Sequence, residues 1–357
     1  GGRAVARYPA RGDRALHDVL VATPGTHSVS KVGAPRTCRR CLSYQGMQHY
    51  LNRRAVPERH LWAFAIGDDG VCNLCHAYDD ALDAELIDRE LLQVVTAART
   101  GGGAVVAFSG GKDSISTLYV AKERLCLTVT AFLFDNGYLP DNVIAQAKRV
   151  CASLDVPLLI GRPRKGEQAR LARIVDRSTV SDPPPCDTCS DWIARELGRV
   201  VDEVGADVVL IGTNYWIAWT EHVHAAARRT TPSGRQVLFA NLPFAARLTH
   251  ADVVKNVKAA GAQVLSMPGM SSNCTVPALV QLRLGRAIGH VAEMEDLSLE
   301  VMVGHRTRKS ALAELKKKAP ALLTSSASKA AASRSAAERA RPSKAAPRAR
   351  RSAPPLR

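Results

Sequence analysis

Residues 104–114, AVVAFSGGKDS, join an apolar run to a short glycine-rich loop. The run Ala104 to Phe108 is uninterrupted, as in a strand that is buried on both faces of a sheet. Residues 114–125 then have the pattern of a helix. Gly110 and Gly111 allow the backbone to approach a ligand closely, and the amide groups of a helix N-terminus favour an anion. The stretch therefore predicts a phosphate-binding loop between a strand and a helix.

Apolar strands alternate with helices on the C-terminal side of this loop. This alternation predicts an α/β fold with a parallel, doubly wound, Rossmann-like sheet. Ligands of such sheets bind beyond the carboxyl ends of the strands. Further strands are predicted at 127–134, 156–160 and 207–211, an extended piece at 237–244, and helices at 139–154, 186–204, 251–260, 276–290 and 297–315.

The loop sequence Ser109-Gly110-Gly111-Lys112-Asp113-Ser114 lacks the spacing of a Walker A motif. It resembles the S-G-G-x-D-S signature of the PP-loop ATP pyrophosphatases, an adenine nucleotide alpha hydrolase-like superfamily. Those enzymes split ATP between its α and β phosphates and adenylate a substrate. The resemblance implies ATP and Mg²⁺ as cofactors, with Lys112 and Asp113 as catalytic candidates. The residues that it implies for pyrophosphate and metal binding are Ser109, Gly110, Gly111, Asp113 and Ser114. The alternative is a plain turn that caps a helix.

Two other strand ends fit the same resemblance. Asp135 follows the second strand, where the family places a residue near the nucleotide. Gly212-Thr213-Asn214 follows the fourth strand and resembles a family motif, G-H-N or G-T-N, at the catalytic crevice. Many relatives carry an aspartate pair just after that asparagine, but this chain has aromatic residues there, which weakens any assignment of a catalytic aspartate. Trp216 and Trp219 either stack on a base or sugar or belong to the core.

Four N-terminal cysteines form two C-x-x-C pairs, Cys38 with Cys41 and Cys72 with Cys75. Four thiolates suit tetrahedral zinc, and so short a segment has little apolar surface to bury without a metal. The alternative is four unliganded buried thiols. The second pair resembles the knuckle of N-acetyl sugar amidotransferases, which join it to a PP-loop domain, and zinc-knuckle tRNA thiolation enzymes share this order.

A third C-x-x-C pair, Cys186 and Cys189, begins a helix, where the dipole favours thiolate. Together with Cys274 it resembles the cysteines of iron–sulfur-dependent tRNA thiolation enzymes. In those enzymes three thiolates hold a 4Fe-4S cluster and leave one iron open to sulfur. The resemblance implies the same role for these three residues. Two alternatives remain: a catalytic dithiol for persulfide transfer, with Cys274 in the core, and a second zinc site.

The formal charge of +16 is concentrated at the two ends of the chain. Residues 1–36 carry six Lys/Arg and two Asp, and residues 319–357 carry nine Lys/Arg and one Glu. Such segments either attract nucleic acid or only solvate the protein. The sequence contains no run of about 18 uncharged apolar residues that would predict a membrane span. No secretory signal is evident either, so a cytoplasmic location is expected.

The predicted parts are an irregular basic arm (1–36), a zinc ribbon (37–80), a linking helix (81–100), the PP-loop domain with a helical C-terminal part (101–318) and a disordered basic tail (319–357).

These observations predict an ATP-dependent adenylating enzyme that activates a substrate carbonyl for sulfur transfer, with tRNA thiolation as one candidate form. One alternative is an N-acetyl sugar amidotransferase-like ligase that uses a nitrogen nucleophile. Another is a zinc-ribbon RNA-binding protein with a non-catalytic nucleotide site. The expected partners are ATP, tRNA or a small carbonyl compound, and a sulfur-donating or ammonia-supplying protein. Whether the chain forms a homodimer is left open.

Overall fold

The computed structural model describes residues 36–52, 54–57, 65–265, 273–288, 290–291 and 293–323. The predicted N-terminal arm, apart from Arg36, and the tail beyond Leu323 lie outside this range. Within it, no helix has both the length and the apolar character that a membrane crossing requires.

A six-stranded sheet forms the centre of the protein, in the order β3-β2-β1-β4-β8-β7. Five of its strands run parallel, and β7 pairs antiparallel with β8 at one edge. The predicted α/β fold with a mostly parallel sheet is confirmed. The strands are β1 Ala104–Ala107, β2 Val129–Phe134, β3 Leu158–Gly161, β4 Val208–Ile211, β7 Ala226–Thr230 and β8 Gln236–Asn241, with β5 Ala218–Trp219 and β6 Val223–His224 in a separate two-stranded hairpin.

Helices cover the sheet, and other helices precede its first strand and follow its last strand in the chain. They are α1 Asn73–Ala81, α2 Ala84–Thr100, α3 Lys112–Tyr119 with a π-helical turn Val120–Arg124, α4 Asp141–Ser153, α5 Glu167–Arg177, α6 Pro185–Val204, α7 Leu242–Ala245, α8 His250–Ala259, α9 Val276–Ile288, α10 Glu293–Met302 and α11 Arg308–Leu323. The last helix extends into the segment that the sequence assigns to the tail.

Several elements have no counterpart in the sequence-based expectation, among them the hairpin strands β5 and β6, helix α5 and the edge strand β7. Only Leu171 and Val175 of α5 are buried, so its apolar pattern is too sparse to mark a helix among so many charges. In β7 only Ala226 is buried, because an edge strand with an exposed face needs no continuous apolar run.

The N-terminal ribbon packs against the C-terminal helices α10 and α11 in one hydrophobic core. Trp216 lies in this core, is 3% exposed, and donates its indole N–H to the carbonyl oxygen of Ala55 at 2.6 Å. Its ring centroid lies 4.8 Å from that of Trp219 and 5.5 Å from that of Tyr78. Of the two interpretations of these tryptophans, the structure favours packing in the core.

Candidate active site

The glycine-rich loop lies between the end of β1 and the first turn of α3. Gly110 has φ +75°, and a Cβ there would lie 2.9 Å from Cγ1 of Val143, so a side chain is excluded on both conformational and steric grounds. Ser114 fixes the loop, because its hydroxyl donates to the carbonyl oxygen of Gly111 at 3.0 Å and accepts the Ser109 amide at 3.2 Å. The loop is thus a preformed turn at the carboxyl edge of the sheet.

The end of β4 contacts this loop directly. A Cβ on Gly212 would lie 2.9 Å from the backbone nitrogen of Ser114, so only glycine permits this approach. Two residues later, the side-chain amide of Asn214 donates to Oδ1 of Asp113 at 3.1 Å. The predicted motif at the end of β4 therefore meets the predicted loop in space.

Lys112 and Asp113 form an ion pair at the start of α3, with 2.6 Å between Nζ and Oδ2. Burial lowers the pKa of Lys112, but the carboxylates of Asp113 and Glu300 outweigh it and hold the pKa above its usual value. Burial raises the pKa of Asp113, but Lys112 and the Asn214 amide together bring it below the ordinary range. Both groups are therefore charged at neutral pH.

A cleft of about 370 Å³ opens beside the loop and reaches the third cysteine pair. It is bounded by the carboxyl ends of β1, β2 and β4 and by the first turns of α6 and α9. Among the residues that line it are Ser109, Gly111, Asp113, Ser114, Asn136, Gly212, Thr213, Cys186, Cys189 and Cys274. The loop and all three cysteines thus share one cleft.

Asn136 connects two of the cleft thiols. Its side-chain nitrogen lies 3.3 Å from Sγ of Cys189 and 3.7 Å from Sγ of Cys274. Within the described residues, only the ribbon brings three or more His, Cys, Asp or Glu ligand atoms all within 4.8 Å of one another. The three cleft cysteines do not form such a group.

Burial raises the pKa of all three cleft thiols. The pKa of Cys189 rises to about 11, and that of Cys186 lies well above its usual value. The pKa of Cys274 is raised for the same reason. The sequence led us to expect thiolates at the start of α6, but desolvation outweighs the helix dipole there. Without a bound cation these groups are neutral thiols at pH 7.

Some predicted site residues lie beside the cleft instead of lining it. Asp135 accepts the backbone N–H of Gly137 at 3.1 Å and lies 3.4 Å from Nε of Arg162. Its neighbour Asn136 lines the cleft in its place, and neither Lys112 nor Gly110 belongs to the lining.

Sequence reasoning missed three polar residues around the loop. Asn136 lies next to a residue that was singled out, so its position gave a partial signal. Asn273 donates to the carbonyl oxygen of Ser109 at 3.2 Å, and Glu300 accepts from Asn214 at 3.1 Å. No motif marks either of these two, since their partners lie 164 and 86 residues away.

The four ribbon cysteines form a second, closed group. Their sulfurs all lie within 4.8 Å of one another and are fully buried, with 3.9 Å between Cys38 and Cys75 and 3.7 Å between Cys41 and Cys72. The Cys72 amide donates to Sγ of Cys38 at 3.3 Å. Four thiols without an open position are the donor set of a structural zinc ion, so the residues fit that metal.

Comparison with known proteins finds relatives at low identity. No protein-family profile matches the sequence. An uncharacterized protein of Methanocaldococcus jannaschii is 23% identical over 236 residues, which cover 65% of this chain and 80% of that protein.

Three solved structures resemble parts of the chain. The NH3-dependent NAD synthetase from Campylobacter jejuni is 20% identical with a TM-score of 0.26, over 38% of this chain and 58% of that one. The phosphoadenylyl-sulfate reductase from Candida auris is 13% identical with a TM-score of 0.33, over 50% and 81% of the two chains. The NMN synthetase from Francisella tularensis is 13% identical with a TM-score of 0.35, over 67% and 94%.

The three neighbours are thus an NAD synthetase, a phosphoadenylyl-sulfate reductase and an NMN synthetase. Because every TM-score lies below 0.5, we draw no activity from them. The strand order, the loop between β1 and α3 and its contact with the end of β4 are features of this chain itself. The chain thus combines a mostly parallel α/β sheet with a glycine-rich loop whose sequence resembles the PP-loop signature.

Proposed function

We propose that this chain is an ATP-dependent adenylating enzyme that activates a substrate carbonyl for sulfur transfer. The observation that carries the proposal is that the glycine-rich loop and three cysteine thiols line the same cleft. A nucleotide on the loop and a sulfur donor at the thiols would then meet one substrate atom. A sulfur atom bound at these thiols would lie near the activated substrate carbon, whereas cysteines with a purely structural role would have no substrate beside them.

The adenylation step depends on the charges at the start of α3. The substrate carbonyl oxygen attacks the α-phosphorus of ATP, the bond to the β-phosphate oxygen breaks, and pyrophosphate leaves with the electron pair. Loop amides and the Lys112 ammonium stabilise the charge on the leaving group. Asp113 is the residue that would hold Mg²⁺, which supplies further charge neutralisation when it is bound.

The sulfur step exchanges AMP for sulfur at the activated carbon. A sulfur nucleophile forms the C–S bond, the C–O bond breaks, and the former carbonyl oxygen leaves as part of AMP. Cys186, Cys189 and Cys274 would hold a 4Fe-4S cluster, which supplies an iron that can bind sulfide. All three line one cleft, as the ligands of one cluster would. A dithiol that carries a persulfide is the alternative source of sulfur.

A polyanionic substrate such as tRNA is supported by the basic surface near this edge of the sheet. Lys165, Arg170, Arg173 and Arg177 are exposed on α5 and the turn before it. The side chain of Gln168 at the start of α5 touches the turn at Gly137, which follows β2 beside the cleft. The basic chain ends at 1–36 and 319–357 would add to the same attraction.

The ribbon cysteines are proposed to hold a structural zinc ion. Four buried thiols leave no position for a substrate, so the ion would stabilise the ribbon and take no part in the reaction. The ribbon would then support the C-terminal helices that it contacts.

The test is pyrophosphate release from ATP, measured with and without bulk tRNA, on protein purified without oxygen and assayed for iron and sulfide. We expect tRNA-dependent release, and about four irons and four sulfides per chain. Asp113→Ala should abolish release, whereas Asp141→Ala, at an exposed position on α4, should not.

Full activity without iron would reject the cluster. Incorporation of nitrogen would indicate an amidotransferase, and the absence of release with tRNA or small carbonyl substrates would favour the RNA-binding alternative.

A further inference from the structure

Glu300, on α10, reaches from the C-terminal helices to the nucleotide loop. Its Oε1 accepts the side-chain amide of Asn214 at 3.1 Å, and its Oε2 accepts Nε of Arg306 at 2.9 Å. The residue is 8% exposed, and Asn214 is 6% exposed. A carboxylate so deeply buried is costly unless both of its oxygens have partners, as they have here.

Asn214 is the middle member of a chain of hydrogen bonds. Its Nδ2 carries two hydrogens, and it has two acceptors at 3.1 Å, Oδ1 of Asp113 and Oε1 of Glu300. The second oxygen of Asp113 pairs with Lys112. Because Asn214 has used both hydrogens, its amide cannot rotate without breaking a bond to one of the carboxylates.

We propose that Glu300 is a positioning residue for the nucleotide site and acts on Asp113 through Asn214. This inference rests on the proposed binding of ATP at the loop. With Glu300 in place, the Asn214 amide is fixed and holds one oxygen of Asp113, which orients the carboxylate that would face Mg²⁺ and the phosphates. Without Glu300, Asn214 has an unpaired N–H and rotates, and Asp113 is held by Lys112 alone.

A merely structural role for Glu300 is the competing explanation. In that case the residue would neutralise Arg306 and anchor α10, and its loss would lower stability without changing ligand affinity. Glu295 on the same helix provides the matched control. Its carboxylate accepts the backbone amides of Tyr50, Leu51 and Asn52 at 2.9, 2.8 and 3.0 Å, so it anchors the ribbon and does not contact the loop.

The first experiment measures the affinity for MgATP and for inorganic pyrophosphate by calorimetry, together with the melting temperature. We expect Glu300→Ala to weaken MgATP binding roughly ten- to hundredfold, the effect of losing a hydrogen bond to a charged group. Glu300→Gln keeps an oxygen acceptor for Asn214 and should recover most of the affinity. Glu295→Gln should lower the melting temperature and leave both affinities unchanged.

The second experiment is a double-mutant cycle between Glu300→Ala and Asn214→Ala. If Glu300 acts through Asn214, the double variant should bind MgATP no more weakly than Asn214→Ala alone. Additive losses would overturn the inference, and so would a Glu300→Ala protein that binds MgATP like the wild type. A wild-type protein that does not bind MgATP would instead reject the proposed function.

Discussion

The ribbon cysteines and the cleft cysteines share the C-x-x-C spacing, but their surroundings differ. In the ribbon, four sulfurs touch one another, and backbone amides of the ribbon point at them, among them the amide of Cys75 toward Cys72 at 3.4 Å. In the cleft, the three sulfurs form no such group, and the side-chain amide of Asn136 contacts two of them, those of Cys189 and Cys274. The first arrangement could close around an ion, whereas the second lines a cleft that it shares with the glycine-rich loop.

The C-x-x-C spacing alone does not determine whether a cysteine pair is structural or catalytic. Two cysteines three residues apart can begin a helix in either setting, as Cys72 does before α1 and Cys186 does within α6. Function depends on what the rest of the fold adds. In the ribbon, a second C-x-x-C pair lies beside the first. In the α/β domain, Cys186 and Cys189 line a cleft together with Asn136 and the glycine-rich loop.

The largest effect is expected from a ribbon ligand. Cys72→Ser should abolish zinc binding and lower the free energy of unfolding by roughly 5 kcal/mol or more, because binding of a structural zinc ion contributes directly to folding. Zinc content by elemental analysis and the fluorescence of Trp216, which lies in the ribbon core, would show both changes. Cys126→Ser, at an exposed thiol, is the control and should match the wild type. A Cys72→Ser protein with full stability would remove the distinction between the two cysteine groups.

A smaller effect on stability, but a large one on activity, is expected in the cleft. Cys274→Ser should reduce sulfur transfer at least ~100-fold while the melting temperature changes by about 2 °C or less, since the residue is only half-buried. MgATP affinity should be unchanged, because the loop keeps its own hydrogen bonds. Thiolated product, iron content and calorimetry would be measured on the same preparation. Equal losses of stability in this variant and in Cys72→Ser would show that both groups are structural.

The sequence predicts those parts of the molecule whose determinants are local. The buried strand Ala104–Ala107, its glycine loop and the ribbon ligands each depend on residues close together in the chain, so composition and spacing are sufficient. That Cys186, Cys189 and Cys274 act together was predicted from a family resemblance, because their spacing alone does not indicate it.

The parts that sequence reasoning missed depend on distant partners. Glu300 meets Asn214 across 86 residues, and nothing near either residue indicates that contact. The raised pKa values of the cleft thiols come from burial, which the residues around each cysteine do not indicate. Helix α5 was missed for a different reason, since its exposed charges outnumber its two buried apolar residues.

The smallest effect concerns the contact between the ribbon and α10, at Asp296. Its Oδ1 accepts the side-chain amide of Asn52 at 2.7 Å, and burial, followed by the charge of Glu300, raises its pKa to about 7. The folded protein therefore keeps a proton that the unfolded chain releases near pH 3.9. Stability from this group is complete below about pH 4 and is lost as the pH rises through 7.

Asp296→Asn should remove this part of the pH dependence, because the amide is neutral at every pH. Relative to the wild type, the variant should gain on the order of 1 kcal/mol in unfolding free energy between pH 5 and pH 8, measured by urea denaturation. Asp141→Asn, at an exposed position on α4, is the matched control and should show no such gain. If the difference between Asp296→Asn and the wild type is the same at both pH values, Asp296 is already ionised in the folded protein. The ribbon would then be docked onto a charged surface of α10, and its attachment, unlike that of a neutral contact, would weaken with added salt.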